Sequence, residues 1–326
     1  ADRFGDVWAL ENKLEEGSFG SIYEIKHKST QRVEAVKMIV SQRRAARLEA
    51  QIWRCIGEHR NIVKLHEVYE EGDTMFMVMD KCECHMLNRL STGFHMREVA
   101  PMFEQMLLGI AHMHSLNIAH RDVKFQNFLC LGEGFRCIKL CDFGFSITVP
   151  PKGVLNEICG TPPFISPEML MRSYGLKTDI WSIGVCCYYL LSGARYPYEP
   201  PDHSPVAMKK AISEGSQVTA DFEARKHVPF AAKLFTANLL NRKATSRLTA
   251  EGALQQPFLN SGGEMSPTPS EISTIASNQD LQRLEEQKPN YVDCHGAIGD
   301  ADALITKKPS TKRKWLRRIF GIASRR

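Results

Sequence analysis

Five consecutive apolar residues, Met75-Phe76-Met77-Val78-Met79, predict a buried strand. Upstream, Gln42–Ile56 has helical spacing, with Leu48, Ile52 and Cys55 along one side. Strand patterns dominate residues 8–82 around that one helix, and helical patterns dominate 86–259. Residues 260–311 are poor in bulky apolar side chains and punctuated by Gly, Pro and Ser, which predicts a flexible, largely disordered linker. Within it Ile272, Ile275, Leu281 and Leu284 fall at loosely helical intervals, a stretch suited to docking on the helical part. At the end of the chain Trp315, Ile319 and Ile322 are spaced i, i+4, i+7. Leu316, Phe320 and Ala323 repeat that spacing, with Arg317, Arg318 and Arg325 opposite. Residues 312–326 are therefore predicted to form a basic amphipathic helix.

Candidate chemistry concentrates in a few strings. His120-Arg121-Asp122-Val123-Lys124-Phe125-Gln126-Asn127 is followed by Asp142-Phe143-Gly144. Ahead of both, Leu14-Glu15-Glu16-Gly17-Ser18-Phe19-Gly20-Ser21-Ile22 carries glycines that permit close backbone approach to a ligand. Ala35-Val36-Lys37 follows at strand distance. Behind them come Cys159-Gly160-Thr161-Pro162, Ser166-Pro167-Glu168, the run from Asp179 to Val185, and Arg247. A single short string is weak evidence. The ordered set, spread over residues 8–259, resembles the eukaryotic protein kinases of the serine/threonine type. Tyr188–Gly193 and the Arg247-Leu248-Thr249 ending are similar to the calcium/calmodulin-dependent group.

The resemblance implies an α+β, bilobal kinase fold: a small β-rich lobe (8–82) with one main helix and a larger, mostly helical lobe (83–259). It implies transfer of the ATP γ-phosphate to Ser/Thr hydroxyls of a protein substrate, with ATP and Mg2+ as cofactors. Phosphoryl transfer needs positioning and charge neutralisation more than covalent help. On that pattern Asp122 orients the attacking hydroxyl, Lys124 stabilises the migrating group, and Asn127 and Asp142 hold the metal. Lys37 holds the phosphates. Its glutamate partner is found by elimination: between Lys37 and His59 the only acids are Glu49 and Glu58, and Glu49 lies in the helix. Thr161 touches Asp122 and Lys124. Nucleotide contacts are assigned to Leu14, Gly17, Ser18, Phe19, Gly20, Ile22, Ala35, Lys37, Met79, Asp80, Cys82, Leu129 and Asp142. Asp179 is expected to accept hydrogen bonds from the catalytic-loop backbone, and Arg247 to pair with Glu168. By the same resemblance Trp53, Leu65, His120 and Phe143 are expected to form a hydrophobic column.

Several positions depart from the family pattern. Glu15 stands where the first loop glycine is usual, and the Lys37-to-Glu49 interval is short. His85 and Gln126 occupy places where relatives often carry acids, which predicts little preference for an upstream substrate arginine. Glu157 stands where many relatives have a phosphorylated Thr, predicting a permanent pair with Arg121. These departures keep open a second reading, a pseudokinase acting as a nucleotide-binding or scaffold protein.

The net charge of +5 is uneven: Lys307–Arg326 holds nine basic residues and no acid, which leaves −4 for the rest. A mildly acidic body gives no indication of nucleic-acid binding. The basic tail suits calmodulin, an anionic membrane surface or nuclear import. No D-x-D-x-D-G calcium loop is present. Ten scattered cysteines fit neither a zinc ribbon nor a disulfide framework. A monomeric cytoplasmic protein is the expectation, membrane-associated or nuclear if the tail directs it.

Overall fold

The computed structural model describes residues 3–17, 20–151, 153–200, 204–215, 218, 228–260 and, for the backbone alone, 272–273. They fall into two compact units: residues up to Arg47 with Leu65–Lys81, and Leu48–Lys64 with the residues from Cys82 onward. The stretch Leu48–Lys64, expected within the small lobe, thus groups with the second unit. The predicted tail helix over 312–326, and all of the linker except 260 and 272–273, lie outside the described residues.

The first unit opens with α1 (Phe4–Val7) and is built on β1 (Trp8–Gly17), β2 (Gly20–His27), β3 (Val33–Val40), β4 (Leu65–Glu71) and β5 (Thr74–Met79). The strands form one antiparallel sheet in the order β1-β2-β3-β5-β4. Strand side chains alternate between faces. Val36, Met38, Phe76 and Val78 accordingly share a face and pack with Phe4, Trp8 and Ile25. Ala35, Lys37, Met77 and Met79 fall on the other. Every residue of β5 is buried, as its unbroken apolar run predicts.

The β1–β2 hairpin closes with Gly17 opposite Gly20. Gly20 has φ +150°, and a Cβ there would lie 2.5 Å from the Met38 carbonyl oxygen. Register shifts on both sides of Lys13 leave Leu14 at a bulge, half exposed.

Helix α2 (Arg43–Ile56) starts one residue later than its spacing predicts. Its buried face also differs. Leu48 and Cys55 are exposed and Ile52 is half-buried, whereas Ala46, Glu49, Ala50, Trp53 and Ile56 are buried. Those five positions form their own i, i+3, i+4, i+7 stripe. The largest side chain sets the face: the Trp53 indole N–H donates to the Val63 carbonyl at 2.7 Å, and its ring lies 5.1 Å from Phe143.

The second unit is mainly helical, as the pattern over 86–259 predicts. After β6 (Cys84–His85), α3 (Met86–Ser91) and β7 (Phe94–His95) comes the long α4 (Met96–Ser115). Next are β8 (Ile118–Ala119), β9 (Phe128–Leu131), β10 (Cys137–Leu140), β11 (Ile147–Thr148) and α5 (Pro167–Leu170). The last helices are α6 (Lys177–Leu191), α7 (Pro205–Glu214), α8 (Phe230–Leu239), α9 (Ala250–Leu254) and α10 (Pro257–Asn260). Helix α6 is buried from Thr178 to Leu191, so its apolar residues need no single stripe. Ser204 caps α7 by accepting from the Ala207 N–H, and Pro205 fills the first helical position. Antiparallel β10-β9-β6 and β8–β11 frame the segment between them. Ile272–Ser273 pairs with Phe94–His95 as a short strand, β12. These two residues are extended rather than helical, and Ile275, Leu281 and Leu284 of the expected docking stretch lie outside the described residues. No helix among the described residues is long and apolar enough to cross a membrane.

Gly20→Ala would bring its Cβ against the Met38 carbonyl. It should lower stability by ~1–3 kcal/mol, read as a lower urea midpoint; an unchanged midpoint would show that β2 and β3 separate without cost.

Candidate active site

The segment between β8 and β9 contains His120–Asn127, and one buried carboxylate fixes its start. Asp179, in the first turn of α6, accepts from the His120 N–H (2.9 Å), the Arg121 N–H (2.8 Å) and His114 Nε2 (2.9 Å). Burial pushes its carboxyl upward, but these donors outweigh that and hold it below the usual carboxylate range. The bonds hold Arg121 at φ +69°, a backbone state that non-glycine residues seldom adopt.

The turn delivers Asp122 into a buried polar cluster. Its Oδ1 accepts from the Thr161 N–H (2.9 Å) and hydroxyl (2.7 Å). Its Oδ2 lies 2.8 Å from Lys124 Nζ and accepts from Asn127 Nδ2 at 3.1 Å. Asn127 Nδ2 also donates to the Asp122 carbonyl at 2.7 Å, and Lys124 Nζ to Thr161 Oγ1 at 2.8 Å. Four sequence-predicted residues, Asp122, Lys124, Asn127 and Thr161, thus come together. Gly160 permits the approach: its φ is +93°, and a Cβ there would lie 2.4 Å from the Arg121 carbonyl oxygen.

Asp142 sits beside this cluster along the chain's hydrogen bonds. The Cys141 N–H donates to the Asn127 carbonyl at 2.9 Å, and His120 Nε2 lies 3.1 Å from the Cys141 carbonyl oxygen. Asp142 has φ +62°, a second non-glycine outlier of the kind that gathers at functional sites. A Cβ on Gly144 would lie 3.5 Å from Asp142 Oδ1 and 3.7 Å from Glu49 Oε2. The Glu49 carboxylate is therefore turned toward the Asp142–Gly144 turn. Phe143 packs between Trp53 (5.1 Å, tilted) and His120 (5.8 Å, edge-on), three members of the expected column. Leu65, the fourth, belongs to β4 of the first unit.

Arg121 organises the segment after Asp142. Its Nε donates to the Phe145 carbonyl at 2.6 Å. One terminal nitrogen meets the Glu157 carboxylate at 3.1 Å and the Tyr174 hydroxyl at 3.2 Å. The Tyr174 hydroxyl in turn donates to the Glu157 carbonyl at 2.6 Å. Burial works against the Arg121 charge, yet Cys159, Tyr174 and the bond to Glu157 raise its pKa further. Farther on, Arg247 is buried and grips Glu168 with both terminal nitrogens, the second at 3.0 Å. Its guanidinium also lies 5.0 Å over Trp181.

The other nucleotide candidates occupy defined places. In the sheet unit Lys37 is buried, opposite Ile22 on β2 and Met77 on β5, and Ala35 lies opposite Met79. Asp80 follows β5 directly. Ser18 and Phe19 lie outside the described residues. In the second unit Leu129 lies between Lys139 and His85, and Cys82 is half-buried. His85 Nδ1 lies 2.7 Å from the Gln126 carbonyl oxygen. Glu83, an acid in the same region, is engaged with Arg89 (3.1 Å) and the Gly132 N–H (3.0 Å).

Sequence reasoning missed His114 and Tyr174. Each contacts the site across more than fifty residues, by a bond that no local string announces.

Asp179→Asn replaces one acceptor oxygen with an N–H facing donors. It should cost about 3 kcal/mol near neutrality in chemical unfolding. The native carboxyl is held low, so its contribution is complete above the unfolded value of about 3.9 and is lost as pH falls through the folded value. The variant's stability should therefore vary less below about pH 4, and equal acid sensitivity would contradict the assignment.

The family model described as "Protein kinase domain" matches residues 8–259. Calcium-dependent protein kinase 1 of Oryza sativa subsp. japonica is 29% identical over 295 residues, 86% of this chain and 56% of the relative. Calcium-dependent protein kinase 24 of Arabidopsis thaliana is 33% identical over 263 residues, 77% of this chain and 44% of the relative. The smooth-muscle myosin light chain kinase of Gallus gallus is 30% identical over 268 residues, 79% of this chain and 14% of the relative. The chain spans about half the length of the first curated relatives it matches. With its site residues gathered in this order and the family model covering most of its length, the chain belongs to the protein kinase domain family.

Proposed function

We propose that the protein is a serine/threonine kinase, transferring the γ-phosphate of ATP to hydroxyl groups of a protein substrate. The observation that carries this reading is the Asp122–Lys124–Thr161 cluster, in which a carboxylate, an ammonium and a hydroxyl lie within 2.7–2.8 Å of one another. Asp122 is held by four donors and so keeps one orientation toward an incoming hydroxyl. Lys124 supplies a fixed positive charge where the migrating phosphoryl group would sit.

The donor set fits magnesium. Asn127 spends its amide N–H2 on Asp122, which directs Oδ1 elsewhere, and Asp142 adds a carboxylate; both are the hard oxygen ligands Mg2+ takes. When bound, Mg-ATP supplies the phosphoryl group and neutralises its oxygens. Asn127 and Asp142 would hold the metal. Lys37 is assigned to the phosphates, Glu49 to fixing that lysine, and Ala35, Met79 and Leu129 to the base. The positions whose loss would favour the scaffold reading, Lys37, Asp122 and Asp142, are all present.

Glu157 supports constitutive competence. Its pair with Arg121 occupies the place of a phosphate clamp, with one charge where phosphate carries about one and a half to two. Substrate selection is proposed to be indifferent to an upstream arginine: His85 and Gln126 are not acids, and Glu83 is already engaged. The names of several relatives carry calcium dependence. For this chain we propose contact of residues 312–326 with calmodulin, testable by a Trp315 emission shift on adding calcium-calmodulin; a shift with anionic vesicles alone would assign the segment to membranes.

Labelled phosphate should pass from ATP to a generic Ser/Thr acceptor, and Asp122→Asn should slow transfer by roughly a hundredfold or more, with Asp142→Asn also impaired. Equal transfer by all three proteins would remove the assignment. Glu157→Ala should lower kcat about three- to tenfold, equivalent to ~0.6–1.4 kcal/mol; an unchanged kcat would make the pair incidental. A peptide array dominated by one upstream arginine would refute the specificity reading.

A further inference from the structure

Three segments of the sheet unit converge, one of them carrying Asp80, which is also among the expected nucleotide contacts. Glu34 comes from β3, His66 from β4, and Asp80 directly follows β5. His66 Nε2 lies 3.0 Å from Asp80 Oδ1 and 3.6 Å from Glu34 Oε2, and one ligand atom from each residue lies within 4.8 Å of the others. Side-chain exposures of 11%, 18% and 21% place the trio in a shallow, partly desolvated recess. Strand alternation puts Glu34 with Val36 and Met38, and Asp80 with Val78 and Phe76. The recess is thus on the face opposite Ala35, Lys37 and Met79.

We propose that Glu34, His66 and Asp80 form a binding site for a divalent transition-metal ion of the zinc class, with water as fourth ligand. Zinc holds nitrogen and oxygen ligands at about 2.0–2.2 Å in a tetrahedron, so its ligand atoms stand roughly 3.3–3.5 Å apart. The two separations from His66 Nε2, 3.0 and 3.6 Å, straddle that spacing. His66 Nε2 is within hydrogen-bond reach of Asp80 Oδ1 but not of Glu34 Oε2 at 3.6 Å, whereas one dication can take a ligand atom from each of the three. Arg32 lies 3.2 Å from the other Glu34 oxygen, Oε1, which leaves Oε2 as the atom turned to His66 and offsets part of the site's negative charge. An imidazole in the set favours zinc-like ions over magnesium or calcium, which take oxygen ligands.

The test is calorimetric titration of the full chain with zinc chloride, alongside Glu34→Gln and His66→Gln. Ten cysteines offer competing ligands, and all remain in both variants. Wild type should bind one equivalent more than either variant, or bind it on the order of a hundredfold more tightly, the upper end of what loss of even an outer-shell partner costs. Its thermal midpoint should rise with zinc more than theirs, and magnesium at the same concentration should not reproduce the difference. Glu34→Gln keeps the side-chain shape, so its metal-free midpoint checks that the fold survives. No zinc binding by wild type, identical stoichiometry and affinity in all three proteins, or an equal response to magnesium would overturn the proposal.

Discussion

Asp179 is the constraint on which the candidate site rests. It is fully buried, and a buried carboxylate persists only when its lone pairs are met by donors. Two of those donors are consecutive backbone N–H groups, so satisfying one charge forces the chain through the left-handed turn at Arg121. The turn places Asp122 against Thr161 and Lys124, and it points the Arg121 guanidinium at Phe145, Glu157 and Tyr174. The placement of Asp122 and of the segment that Arg121 holds therefore depends on a side chain outside the polar cluster itself.

Ion pairs in this second unit differ in what they do. Arg247–Glu168 is bidentate, buried and roofed by Trp181, and removing either partner would strand a charge. Arg121–Glu157 is asymmetric: the arginine is buried but the glutamate is 41% exposed, so solvent screens the contact. The first pair suits architecture. The second can change at little cost to stability.

What could be read from the sequence was what is contiguous. His120–Asn127 and Asp142–Gly144 carry their chemistry in fixed order, and five apolar residues in a row leave β5 little alternative to burial. What could not be read depends on tertiary choice. Helix α2 offers an apolar side made of Leu48, Ile52 and Cys55, yet the fold turns it so that Trp53 reaches Val63 and Phe143 and Glu49 turns toward Gly144. The indole, the largest side chain of the helix, sets which face is buried. His114 and Tyr174 gave no local signal, because each works through a partner far along the chain. Ile272 has loosely helical spacing, yet it pairs in extended form with His95, a partner far along the chain.

In the proposed mechanism Asp179 sets the geometry for phosphoryl transfer rather than merely filling the core. Steady-state kinetics of Asp179→Asn, at a temperature where it remains folded, address this directly. A fall in kcat with little change in the KM for ATP is the predicted result; a folded variant with the wild-type kcat would contradict it.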